Sequence, residues 1–181
     1  LGSAVGNSLE VIESVEILKG KTSGDLWTVC RELSCRMLML AGIGDKDECG
    51  RLVDEAVESG EALKRFEMMV KLQGGDVSYI EDTSKFRKAS FSREVYAPAD
   101  GYITHMDSEK IGLTAVLLGA GREKKEDNIN HAAGIMIAAK AGDFVKRGEL
   151  LATLFADNKS RLDGAESRYL SAVSIGDKKP A

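Results

Sequence analysis

Two prolines, two histidines and three cysteines are all that this chain of 181 residues has of those types. Each scarcity excludes something. With so little proline, 43% hydrophobic residues and 30% charged ones, the composition is that of a folded soluble protein and not a disordered one. The thiols Cys30, Cys35 and Cys49 are odd in number and lack metal-ligand spacing, and both histidines lie far from them, which argues against a zinc site. Unpaired thiols fit a reducing compartment, and the expectation is the cytoplasm. No apolar run approaches the roughly 20 residues that cross a bilayer, so no membrane partner is expected. The net charge of -4 argues against general affinity for nucleic acid or anionic lipid, although a local basic patch stays open. The start, "LGSAVGN", lacks the charged and apolar regions of a signal peptide. It reads like the interior of something longer.

The first half carries helical periodicity. Asn7 and Ser8 are cap candidates for "LEVIESVEILKG", where Val11, Ile12, Val15 and Leu18 share a face and Gly20 is a stop. Ser23 or Asp25 opens "LWTVCRELSCRMLMLAG", which is apolar nearly all round and predicts a buried helix ended by Gly42 and Gly44. Leu52, Val53, Ala56 and Val57 form the next stripe, and Leu63, Phe66, Met69 and Val70 the one after. The methionines of these helices read as ordinary core. The helices over residues 25–42 and 61–72 are expected to be the best protected part. No fixed internal period points to a repeat array.

Composition shifts after Gly74 and Gly75. The polar mixture "DVSYIEDTSKFRKASF" marks a linker at 76–90 between a helical part, 1–75, and a strand-and-turn part, 91–181. In the latter, "REVYAPADGYITHM" reads as two short strands around Pro98–Gly101. "DSEKIGLTAVLLGAG" reads as a helix from Asp107 or Ser108 to Gly119, followed by the charged loop "REKKEDNIN". Strands near 133–140 and 150–155 flank hairpin turns at 142–148, and a final helix precedes the tail "GDKKPA".

Four features invite chemistry. "VYAPADGYITHM" and "AGDFVKRGELLATLFA" resemble strand units of biotin and lipoyl carrier domains, which hold their group on a lysine in an exposed hairpin. That hairpin would fall at 157–159. Lys159 has no flanking methionine and a helical sequence follows it, so it reads as a solvated first-turn residue. His105 ends a strand and His131 opens one, and neither has a neighbouring nucleophile that would complete a triad. "LLGAGREKKED" lacks the phosphate-loop pattern and follows a helix where such a loop follows a strand. Arg122, Lys124 and Lys125 could still face an anion. Finally, Gly2 and Gly6 permit tight backbone with exposed carbonyls just ahead of Glu13, a hard oxygen set suited to a cation.

Taken together, "AVGNSLEVIES", "LMLAG", "LQGGD", "VYAPADGYI", "LGAGREKKEDNI" and "AGIMIAAKAGDFVKRGELLATL" resemble the pyrimidine-nucleoside phosphorylase family, which includes thymidine phosphorylase. They occur in the family's order and cover nearly the whole chain. The resemblance implies an α/β (α+β) arrangement: the helical end of a large α/β domain, then a β-rich domain like a barrel-sandwich hammerhead. It implies a homodimer that exchanges phosphate and pyrimidine nucleoside for free base and pentose 1-phosphate. Family members are more than twice this long, and their phosphate- and base-binding motifs lie upstream of "AVGN". No catalytic or substrate-binding residue is therefore carried over, and the chain alone is expected to be inactive without the upstream part of the same protein. One implied site reaches this segment. Bacterial members hold potassium on two carbonyls and a glutamate of the "LGxAVGNxxEVxE" pattern, which fall on Leu1, Ala4 and Glu13; further ligands lie upstream. The alternative is a carrier or a non-catalytic binding module.

Overall fold

The structure is a computed structural model that describes residues 2–21, 24–122 and 124–180. Leu1, Thr22, Ser23, Glu123 and Ala181 lie outside the described residues. The chain divides into two compact units, one holding Gly2 with Val11–Lys85 and the other Ser3–Glu10 with Phe86–Ala181. The amino-terminal stretch thus contributes to both.

The first unit is helical. Helix α1, Asn7–Leu18, enters it from Val11 onward, and α2, Asp25–Leu40, α3, Lys46–Glu58, and α4, Glu61–Leu72, follow. Local chemistry sets the boundaries. Asp45 caps α3 by accepting from the amide of Glu48 at 2.9 Å. Gly60, at φ 76°, turns the chain between α3 and α4 where a side chain would be strained. Gly24, at φ 156°, precedes α2, so Asp25 is a first-turn residue and not its cap. The polar stretch that reads as a linker contains a four-residue helix α5, Ser78–Glu81, and a 3-10 turn, Thr83–Lys85. Asp76 and Asp82 each accept from an amide two residues on, at 2.9 and 3.0 Å; the Ser78 amide holds the Asp76 carboxyl below its ordinary pKa, and the Ser84 hydroxyl, at 2.7 Å, and amide do the same for Asp82. Ile80 is buried between them, while Lys19 and Glu16 of the first unit bond to Glu81 and Thr83.

Two expectations for these helices fail. Within α2 only Cys35 is buried, and Met37 and Leu40 are 62% and 89% exposed. No residue of α4 is buried, and Met68 and Met69 are half open. The core of this unit is small: Val15, Ile17, Cys35, Cys49, Val53 and Ile80. A helix that is apolar all round needs cover on every side, and α1, α3 and α4 cover only part of α2. Arg31 of α2 and Asp54 of α3 form a two-pronged pair at 2.6 and 2.5 Å. It lowers the carboxyl pKa and raises that of the guanidinium.

The second unit has two antiparallel sheets. The larger runs β1 (Ala4–Gly6), β4 (Gly134–Ile137), β6 (Leu150–Ala156) and β2 (Phe91–Tyr96); the smaller runs β5 (Phe144–Val145), β3 (Gly101–Met106) and β7 (Val173–Gly176). Two helices complete it. α6, Ser108–Leu118, starts on Asp107, whose carboxylate accepts from the Lys110 amide, and ends on Gly119 at φ 110°. α7, Ser160–Ala172, follows β6 directly. The core joins both sheets and both helices through Val95, Ile103, Leu118, Ile135, Leu154 and Leu162. Among the described residues the fold is mixed α and β with no closed barrel.

The strands around Pro98–Gly101 do not pair with each other. β2 joins β6 and β3 joins β5 and β7, so the turn carries the chain from one sheet to the other. The hairpin region at 142–148 contains β5, two residues paired with Gly101 and Tyr102. Its turns are pinned by carboxylates. Lys140 N donates to Asp143, Lys146 N to Glu149 and Arg147 N to Asp100, at 2.7 to 2.9 Å. After β6 the chain enters a helix and not a returning strand, so exposed Lys159 is on no hairpin.

Tyr169 of α7 is fully buried, and its hydroxyl finds no hydrogen-bond partner among the described residues. Burial pushes its pKa up to about 12. A buried hydroxyl without a partner costs about 1–3 kcal/mol. Tyr169→Phe keeps the ring and removes that cost, so the thermal midpoint should hold or rise. A fall in a melting scan would mean that the hydroxyl is satisfied in solution.

Candidate functional site

The segment from Gly2 to Glu13 is built on close backbone approach. Gly6 of β1 and Gly134 of β4 lie opposite each other. A Cβ on Gly6 would come within 2.7 Å of the Ala133 carbonyl oxygen, and one on Gly134 within 2.5 Å of the Val5 carbonyl oxygen. Neither position admits a side chain without moving backbone. Just beyond, the first turn of α1 has amides with no helical acceptor. The Ser8 amide donates to the His131 carbonyl at 3.0 Å, and the Gly6 amide to the Glu10 carboxylate at 2.9 Å. The Asn7 side chain donates to the Ala120 carbonyl at 2.8 Å, so the "AVGN" phrase is fastened to the turns before β4.

Glu13 lies one turn further along α1, in the helical unit. Its carboxylate rests against Gly2, where a Cβ would sit 2.2 Å from Glu13 Oε2. Glycine at position 2 is therefore what lets this carboxylate approach the main chain. Ala4 is buried in β1, paired with Met136. Leu1 lies outside the described residues.

The other nominated groups do not converge. His105 and His131 are exposed, and His131 accepts from the Ser8 amide through its main-chain carbonyl. Arg122, Lys124 and Lys125 have no ion pair among the described residues. The loop they occupy is closed at its neck by the Asn130 amide on the Gly119 carbonyl, 2.9 Å. No group of three or more His, Cys, Asp or Glu side chains that could hold a metal exists among the described residues, and no helix among them is long and apolar enough to cross a membrane.

One cluster escapes a sequence reading. Asp157, at the end of β6, gathers Arg87 at 2.5 Å, the Ser90 amide at 2.8 Å and hydroxyl at 3.0 Å, and the Asn130 side-chain amide at 2.9 Å. Arg87 also donates to Asn130 Oδ1 at 2.6 Å. This latch ties the entry to β2, the neck of the charged loop and the exit of β6. Its members lie up to 70 residues apart, and no local signal announces them.

The latch makes acid stability depend on Asp157. The Arg87 guanidinium and the Ser90 donors hold its carboxyl far below the ordinary carboxylate range. A depressed pKa contributes stability that is complete above the unfolded value of about 3.9 and is lost as pH falls towards the folded one. Acid unfolding followed by circular dichroism should therefore be steeper below about pH 4 for the native chain than for Asp157→Asn. Parallel acid limbs would remove Asp157 from the explanation.

The comparisons with known proteins match this anatomy. Residues 102–176 match the family described as pyrimidine nucleoside phosphorylase C-terminal domain. Over 176 residues the chain is 39% identical to the pyrimidine-nucleoside phosphorylase of Bacillus subtilis (strain 168) and 35% identical to that of Geobacillus stearothermophilus; each match takes in 97% of this chain and 40% of the relative. The enzyme of that name from Staphylococcus aureus (strain bovine RF122 / ET3-1) is 37% identical over 178 residues, 98% of this chain and 41% of its own length. The chain thus spans about two fifths of the length of these relatives. From β3 to β7 the chain thus matches the carboxy-terminal domain described for pyrimidine nucleoside phosphorylases, and along nearly its whole length it is similar to a part of three such enzymes.

Proposed function

We propose that this chain is the carboxy-terminal portion of an enzyme that converts a pyrimidine nucleoside and phosphate to free base and pentose 1-phosphate, a pentosyl transfer. The observation that carries the reading is the likeness to three phosphorylases along at least 97% of the chain, the family's carboxy-terminal domain included. Catalysis of such a reaction rests on positioning the two reactants and stabilising charge on the departing base. The chain's part is structural: it supplies helices and a two-sheet domain to a longer protein that acts as a homodimer in the cytoplasm.

Potassium fits the same reading. Glu13 in its glycine cradle supplies a carboxylate, and the main-chain carbonyls of Leu1 and Ala4 would complete this chain's share of the ligands. When bound, the ion would neutralise negative charge near phosphate; Gly2 and Gly6 keep the backbone free to present its carbonyls.

The test is direct. The purified 181-residue chain, incubated with thymidine or uridine and phosphate, should release no free base by chromatography. Turnover that co-purifies with the chain through several columns would overturn the proposal.

A further inference from the structure

A cavity of about 390 Å³ opens in the second unit, where the chain leaves α6 and where α7 begins. Arg87, Asn128, Asn130, Asp157, Asn158 and Arg161 supply its polar lining. The charge there is net positive. Asp157 is the one carboxylate among the described lining residues, and four donors already take its two oxygens: Arg87 and the Asn130 side chain on Oδ2, the Ser90 amide and hydroxyl on Oδ1. Arg161 has no ion pair among the described residues. Exposed Lys88 and Lys159, next in sequence to lining residues, have none either.

The lining also holds donors that the protein leaves over. Both side-chain bonds of Arg87 leave from Nη2, and that of Arg161 leaves from Nη1 to the Leu117 carbonyl at 3.2 Å. Each guanidinium therefore keeps N–H groups without a partner among the described residues. Asn158 Oδ1 accepts from the Ser160 amide and hydroxyl, at 3.0 and 2.8 Å, which leaves its Nδ2 as a further donor. Positive charge with several spare N–H groups suits an anion with more oxygens than a carboxylate, and arginine forks recognise phosphate by paired bonds. The volume lies in the range of small-molecule sites, about 300–1,000 Å³.

We infer that this cavity binds a phosphate group, esterified to a small metabolite or free, through Arg87, Arg161 and the Asn158 amide. The 181-residue chain is titrated with ribose 5-phosphate, with inorganic phosphate and with unphosphorylated ribose, followed by amide shifts in NMR and by calorimetry. Ribose 5-phosphate should shift the amides of 118–119, 128–130 and 157–161, and ribose should not. Arg161→Ala should weaken binding at least about tenfold, the loss expected for a hydrogen bond to a charged group. Asn158→Asp is the second variant. Its carboxylate still accepts from Ser160, so the start of α7 is kept, while the spare donor becomes an anion; binding should weaken at least as much. Circular dichroism melts check that both variants fold. Tighter binding of the ester than of inorganic phosphate at these amides supports the site with an organic ligand, and equal binding supports it with free phosphate. No shifts at millimolar ligand, shifts scattered over surface lysines, ribose binding as well as its phosphate, or affinities that both variants leave unchanged would overturn the inference.

Discussion

Gly134→Ala is expected to unfasten the first strand from its sheet. The residue sits at φ 155°, a region that only glycine occupies readily, and its new Cβ would meet the Val5 carbonyl oxygen at 2.5 Å and the Gly6 Cα at 3.2 Å. Both obstacles are backbone, so no rotamer change relieves them. The conformation alone costs about 1–3 kcal/mol for a non-glycine residue, and the separation of β1 from β4 adds the loss of their ladder. The variant should unfold at lower denaturant and lose amide protection at 4–6, with the sheet between β4, β6 and β2 retained. Because β1 carries Ala4 of the proposed potassium site, any potassium dependence of the parent's melting temperature should weaken in the same variant. Native protection at 4–6 would show that the backbones separate at little cost.

Leu154→Ala should be the most damaging single truncation. Leu154 is fully buried on β6, opposite Arg93 of β2 and Ile135 of β4. Its removal leaves a cavity between strands held by hydrogen bonds on both sides, which limits collapse into the space. Such truncations cost about 2–5 kcal/mol, against a typical total of about 5–15 kcal/mol. The melting temperature of a unit this size should fall on the order of 10–20 °C. A loss below about 1 kcal/mol would mean that the two-sheet core repacks freely, contrary to its dense lining.

What could be read beforehand was what is written locally. The run from Asp107 to Gly119 contains its own cap, apolar face and stop, and α6 follows it closely. β6 is an apolar run bounded by turns. β7 was hidden because it continues from α7 without a break, and β5 because two residues form no pattern. β1 is three residues long and looks like loop until Met136 is brought beside Ala4. In α2, periodicity shows which residues are apolar but not whether the chain covers them. The Asp157 latch was invisible because its donors, Arg87, Ser90 and Asn130, meet it only through the sheet order. The nearness of Gly2 and Glu13, which share one motif in the sequence, is explained by the missing Cβ.

The pairing of β1 with β4 has a consequence for synthesis. Ala4 leaves the ribosome long before Met136, its partner in the sheet. At about 5–20 residues per second, the first strand waits on the order of ten seconds, with a helical unit emerging in between. The second unit is therefore a discontinuous folding unit that cannot close until most of the chain exists. Slowing translation after residue 85 should extend the time in which a nascent chain exposes β1 to chaperones, while α1 to α4 are already complete.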